Sequence, residues 1–333
     1  MKIVCLQFEP FLGEVQRNID HATKMIADLK PEDVDVLVLP EMAFTGYVFT
    51  SKEHIRPYLE DAETGPSVQW AKTQAVRLGA HVQVGYPEKR IINEEDKFHE
   101  EFYNSVCFVS PEGNLLATYS KHFLYYTDEN WAEEGAGFRS MPVPGLGQVG
   151  FGICMDVNPY QFKASFLDYE FSNFHLKQNT NLLLCSMAWN KGDEAPKAEK
   201  VEPKLKSAAS KARAKASEGG DYKEAGDVEE QGDQVEDDDD NDEEWEDEED
   251  EEDEEQSELQ HETIRYWAVR MNPYYGMGQR SSQEVYLVVA NRIGIESGNL
   301  FVGSSCVLKL SASGPELVGA LPANKEGLLQ VEI

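Results

Sequence analysis

The sequence is poor in the features that mark metal-binding, secreted or membrane-spanning chains. Its 333 residues hold five cysteines (Cys5, Cys107, Cys154, Cys185 and Cys306), with no CxxC pair and no close cluster. That spacing excludes a zinc site of the usual kind and a secreted disulfide framework. The seven histidines show no ligand spacing, and no metal or organic cofactor is expected. No apolar run is long enough to span a bilayer, and no membrane partner is expected. The opening "MKIVCLQFEPFLGE" has no basic region and no small-residue cleavage site, and reads as a first strand. These absences predict a cytoplasmic protein in a reducing environment, the nucleus and the mitochondrion being the other compartments they allow.

Positive charge is also scarce: 30 Lys and Arg face 62 Asp and Glu, for a net charge of -32. The imbalance is local. Residues 218–258 contain 26 acids and one lysine, and the rest of the chain carries only -7. Such a segment repels itself and has almost nothing to bury, so 191–260, Lys-rich and then acidic, is expected to be a disordered insertion. The lysines of 191–215 could meet nucleic acid, but the larger acidic block beside them competes, and no nucleic-acid partner is expected.

What is present is an alternation of strand-like and helix-like stretches. "KIVCLQF" and "DVDVLVLPE" read as strands, with helical spacing between them over Asn18–Leu29. "SVQWAKTQAVRLGA" reads as a helix ending near Gly79, and "EFYNSVCFVSPEGNLLATYSK" as two strands around a turn. After "QVGFGIC" a helix is expected, with Asn158 as N-cap and Pro159 in its first position. Patterning resumes near His261. The second part alone offers one helix and a few strands, so 1–190 and 261–333 are read together as one domain.

Three strand ends share a design. "VLVLPEM" delivers Glu41, "LATYSKHF" delivers Lys121, and "VGFGICMD" delivers Cys154. Each apolar strand hands over one polar residue where the pattern breaks, on a rigid support. A thiol with a pKa near 8.5 is only about 3% thiolate at pH 7, so a nucleophilic cysteine needs a base or a positive field. Glu41 could take the proton and Lys121 could stabilise an oxyanion. A helix opening near Asn158 would favour the thiolate. Asp156 reads as a brace for the turn after the cysteine, and the other four cysteines as packing residues.

With "LPEMAFTGY", "YSKHFL" and "GFGICMD" in this order, the chain resembles the nitrilase superfamily of carbon–nitrogen hydrolases over 1–190 and 261–333. The resemblance implies an α+β fold, a four-layer αββα sandwich, and a Glu41–Lys121–Cys154 triad with the Met155 backbone N–H as oxyanion donor. It also implies a second glutamate near the thiol, eight residues after the lysine, which falls on Glu129; Glu133 and Glu134 are the rivals. "GICMDVNPYQF", "LLLCSMAWN" and "YYTDENW" resemble the fungal branch that removes ammonia from N-terminal Asn and Gln. The implied partners are proteins or peptides beginning with Asn or Gln, whose new N-terminal acid would mark them for degradation. Candidate substrate-binding residues are Tyr125, Asp128, Trp131, Asp156 and Trp189, with Asp128, Glu133, Glu134 and Asp156 as partners for the substrate α-ammonium. One rival is a small-molecule ω-amidase or carbamoyl-amide hydrolase. Another, of a different class, is an acidic-tract interaction protein on an inactive hydrolase fold.

Overall fold

The computed structural model describes residues 1–94, 97–191, 206–207, 260–276 and 284–333. Of the stretch expected to be disordered, only its first residue, the pair 206–207 and residue 260 are described, and that expectation otherwise lies outside the described residues.

Strands β1 (Lys2–Gln7), β2 (Val36–Val38), β3 (His81–Glu94), β4 (Lys97–Val109) and β5 (Leu115–Ser120) form one sheet. Next in sequence come β6 (Arg139–Val143), β7 (Gly147–Ile153), β8 (Leu182–Met187), β9 (Lys206–Ser207) and β10 (Val285–Asn291). A short hairpin follows, β11 (Ile293–Glu296) and β12 (Asn299–Val302), then β13 (Cys306–Ser311), β14 (Gly314–Ala320) and β15 (Gly327–Glu332). The first sheet runs β15-β1-β2-β3-β4-β5 and the second β6-β7-β8-β10-β13-β14-β9. Strands β8 and β10, from opposite sides of the insertion, pair directly and in parallel.

Alternation along the central strands explains the layering. Ile3, Cys5, Val36 and Val38 join the cluster that holds Phe108, Phe151 and Ile153. Val4, Leu6, Leu37 and Leu39 face the other way, onto Ala22 and Ile26 of the first helical layer and Val68, Ala71 and Ala75. That layer is helix α1 (Val15–Met25) with α3 (Pro66–Leu78); a single turn, α2 (Lys52–Ile55), lies between them. Helices α4 (Glu170–Lys177) and α5 (260–270) cover the second sheet through Phe171, Ile264, Trp267 and Ala268. The result is the four-layer αββα sandwich. Helix α1 starts three residues before the expected Asn18, because the Asn18 amide turns inward to the carbonyls of Phe11 and Phe44. Helix α3 follows its sequence signals, with Pro66 opening it and Gly79 closing it in the left-handed region.

Candidate active site

Glu41 lies three residues past the end of β2, Lys121 directly follows β5, and Cys154 directly follows β7. The turn after β2 is tight: Met42 takes φ 52°, and the chain crosses Gly85 so closely that a Cβ there would lie 2.5 Å from the Pro40 carbonyl oxygen. Cys154 itself sits at φ 40° and is 7% exposed. Left-handed backbone at a non-glycine residue is strained by about 1–3 kcal/mol, and its presence just after the acid and at the thiol is typical of a functional site. The glycines of "GFGIC" have a plain packing cause. A Cβ at Gly150 would strike His175, and one at Gly152 would strike Cys185 and Phe171, so small residues let α4 close on the sheet beneath the cysteine.

The side chains of Glu41 and Lys121 are fully buried and joined, Lys121 Nζ donating to Glu41 Oε1 at 2.7 Å. Lys121 also donates to Asp128 Oδ2. Asn104, which the sequence reading missed, donates through Nδ2 to both carboxylates, at 2.6 Å to Glu41 Oε1 and 3.0 Å to Asp128 Oδ1. Two acids, one lysine and one amide thus form a closed ring. Glu41 Oε1 is filled by two donors. Oε2 accepts only the Ala188 N–H, at 2.7 Å, which leaves it a lone pair. That same Ala188 N–H is within reach of the Cys154 thiol.

Burial pushes the Cys154 thiol well above its ordinary value and the Glu41 charge adds to this, against the pull of Lys121 and the Ala188 N–H. The resting thiol is therefore protonated. Burial also raises Glu41, with the Lys121 charge as the main opposing effect. For Lys121, burial would lower the pKa, but Asp128 and Glu41 outweigh it and hold the ammonium above its usual range. The arrangement is a neutral nucleophile, an adjacent carboxylate to take its proton and a permanent cation.

The structure sets Asp128, not the expected Glu129, beside Lys121. Glu129 is exposed and its side chain does not join the ring; Asp128, one residue earlier, is buried within it. The cause is the 3-10 turn Asp128–Asn130, which directs its first residue inward, where Asp128 Oδ2 also accepts the Tyr125 N–H at 3.0 Å. Asp128 is thereby committed to Lys121, Asn104 and Tyr47 rather than free for a substrate ammonium. Asp156 is equally committed. Its four bonds come from the N–H groups of Ile153, His122 and Phe123 and the Tyr119 hydroxyl, and they brace the turn. Glu133 pairs with Lys52 at 2.7 Å, and Glu134 accepts from the Tyr160 hydroxyl.

The expected helix at Asn158 does not form. Cys154–Val157 is a 3-10 turn, Asn158 is extended and its Oδ1 accepts the Tyr266 hydroxyl, and α4 begins only at Glu170. Met155 occupies the second position of the 3-10 turn, directly after the thiol. Of the aromatic candidates, Tyr125 is half-buried, its phenol bonded to Asn190 and within electrostatic range of Cys154. Trp131 is fully buried in the cluster containing Tyr47, Leu124 and Ala188. Trp189 instead packs edge-on against Trp267 of α5, at 5.7 Å between rings. The other four cysteines are completely buried.

A buried acid, lysine and thiol lie at the strand ends of a four-layer sandwich, the fold of hydrolases that cleave carbon–nitrogen bonds other than peptide bonds. The chain belongs to the carbon–nitrogen hydrolase family, whose profile matches residues 2–160, and so to the nitrilase superfamily. It is 31% identical to the protein N-terminal amidase of Schizosaccharomyces pombe, over the whole of this chain and 99% of that one. Among solved structures it resembles an N-terminal amidase with an Asn-Glu-Ala peptide, with TM-score 0.70, 24% identity and coverage of 100% and 97%. It also resembles one with a Gln-Gly peptide, with TM-score 0.69, 23% identity and coverage of 99% and 96%.

Proposed function

We propose that the protein hydrolyses the side-chain amide of N-terminal Asn, and of N-terminal Gln, releasing ammonia and leaving N-terminal Asp or Glu. The observation that carries this reading is the Glu41–Lys121–Cys154 cluster in a chain related end to end to a protein N-terminal amidase. Cys154 attacks the amide carbon as Glu41 Oε2 accepts the thiol proton. Lys121 has three N–H groups and spends two on Glu41 and Asp128; the third, with the Met155 N–H, meets the oxyanion. Glu41 then returns the proton to the departing nitrogen, and ammonia leaves a thioester. Water, deprotonated by Glu41, opens the thioester and frees Cys154. Asp128, rather than Glu129, is the second acid in this scheme, and it holds Lys121 in place.

The charges of the ring fit such a substrate. Glu41 and Asp128 against Lys121 leave one buried negative charge in excess, which favours a ligand bearing an ammonium. The product adds a carboxylate to that field, which assists its departure. The test is ammonia release from Asn-peptide, Gln-peptide, free asparagine, N-acetyl-Asn-peptide and α-keto acid amides, side by side. The proposal expects turnover of the two free-amine peptides and none of the acetylated one. Faster turnover of the keto acid amides would overturn it in favour of a small-molecule ω-amidase.

A further inference from the structure

We infer that Asn104 is a positioning residue for the catalytic base: its amide keeps Glu41 ionised and turned so that Oε2 faces the thiol. The inference rests on the acid–thiol chemistry proposed above. Asn104 lies on β4, and its carbonyl accepts the Lys121 backbone N–H at 2.8 Å, so the strand that carries it also sets the lysine. Both hydrogens of Nδ2 are used, one on each carboxylate of the ring. Its own Oδ1 is buried and has no hydrogen-bond partner among the described residues.

Gln83 has the same unmet oxygen among the described residues, so what sets Asn104 apart is that both of its donors go to carboxylates. Turning the amide over would set its oxygen against two carboxylates, so the assignment of nitrogen and oxygen is fixed by charge. The position therefore needs two neutral donors. A lysine there would give the ring a second cation, and Glu41 would be a weaker base. An aspartate would add a third acid. Asn104 instead links Glu41 and Asp128 without changing the charge, and its bond to Glu41 favours the ionised form. By filling Oε1 together with Lys121, it leaves proton transfer to Oε2.

The experiment compares Asn104→Ala and Asn104→Ser with the parent in two assays across pH: kcat/KM on an Asn-peptide, and alkylation of Cys154 by iodoacetamide. Losing the bond should move the acid limb of both profiles up by about one pH unit in Asn104→Ala, and by less in Asn104→Ser, which keeps one donor. At neutral pH kcat should fall on the order of 10–100-fold with KM within about threefold, since a misplaced base costs rate and not binding. Acid limbs that stay in place while only thermal stability drops, in whichever variant folds, would overturn the inference. A shifted alkylation limb in an enzyme that does not turn over Asn-peptide would uphold the role of Asn104 and remove the proposed substrate.

Discussion

Replacing Asp156 with asparagine separates bracing from substrate binding, because the two roles move different observables. Asp156 Oδ1 accepts the N–H groups of His122 and Phe123, at 3.0 and 2.9 Å. Its Oδ2 accepts the Ile153 N–H at 2.8 Å and the Tyr119 hydroxyl at 2.7 Å. The carboxylate thus ties the residues after Lys121 to the turn that carries Cys154. In Asp156→Asn the better orientation keeps the oxygen on His122 and Phe123. The new NH2 then faces Ile153 N–H, and the Tyr119 hydroxyl can turn to accept from it. One buried backbone donor is left without an acceptor, at about 1–3 kcal/mol, and bonds to a charge become bonds to a neutral oxygen, at about 1 kcal/mol more. Removing a buried charge offsets part of this, since burial already raises the Asp156 pKa against the hydrogen bonds of Phe123 and Tyr119. The net expectation is a loss of about 2–3 kcal/mol, read as a fall in Tm of roughly 4–12 °C. Denaturant titration should show a lower midpoint at unchanged slope, and KM for an Asn-peptide should move little. A variant as stable as the parent but with KM raised tenfold would refute the bracing argument and return Asp156 to the ammonium site.

Four further outcomes follow from the same geometry. Cys154→Ala should fold and lose ammonia release by a factor on the order of 10⁶, the scale of nucleophile removal in triad enzymes; intact mass should also show no thioester in Glu41→Gln, because attack itself needs the base. Asp128→Asn should lower kcat about 100-fold by loosening Lys121, whereas exposed Glu129→Gln should stay within about twofold, and the reverse order would overturn the assignment of the second acid. Gly85→Ala should cost at least about 10-fold in kcat by pushing the Glu41 turn, while Gly79→Ala, with nothing within 4 Å but φ 60°, should cost about 1 kcal/mol of stability and no activity. Because burial raises Glu41 and only its ionised form accepts the thiol proton, kcat/KM should be lost as pH falls, at a pH above the 4.5 of an ordinary glutamate, and an acid limb below that value would contradict the buried base.

The neighbourhood of Glu41, Lys121 and Cys154 was legible because each lies at or just past the end of an apolar strand, and strand ends are set by patterns that survive in a single sequence. The four-layer order came from the family resemblance; the strands themselves show only that β1 and β2 are apolar on both faces and need cover on both sides. The place of Asp128 beside Lys121 was not legible, because counting along a loop gives a residue number and not a direction. Eight residues after Lys121 falls on Glu129, and the 3-10 turn there points its neighbour inward instead. The expected helix at Asn158 failed by a similar route. Asn158 and Pro159 are good opening residues, but the hydroxyl of Tyr266, more than a hundred residues on, takes the Asn158 side chain that would have capped it.

Asn104 could have been suspected. In "EFYNSVCFV" it stands with Ser105 just before the apolar end of a strand that shares a hairpin with the strand leading to Lys121, and a buried amide there invites a search for its partners. What the sequence does not carry is the partner list, since Glu41 is 63 residues away and Asp128 is 24. A strand pattern reports which residues are buried together with their neighbours on one face. It cannot report that two acids from separate loops meet over one lysine, and only that meeting gives the amide its role. The proposed catalytic residues are therefore read from where strands stop, and the residue proposed to tune them from a polar position inside a strand. The second signal is weaker in any one sequence, because a core amide leaves the same mark; here the two carboxylates that accept from Asn104 separate the two.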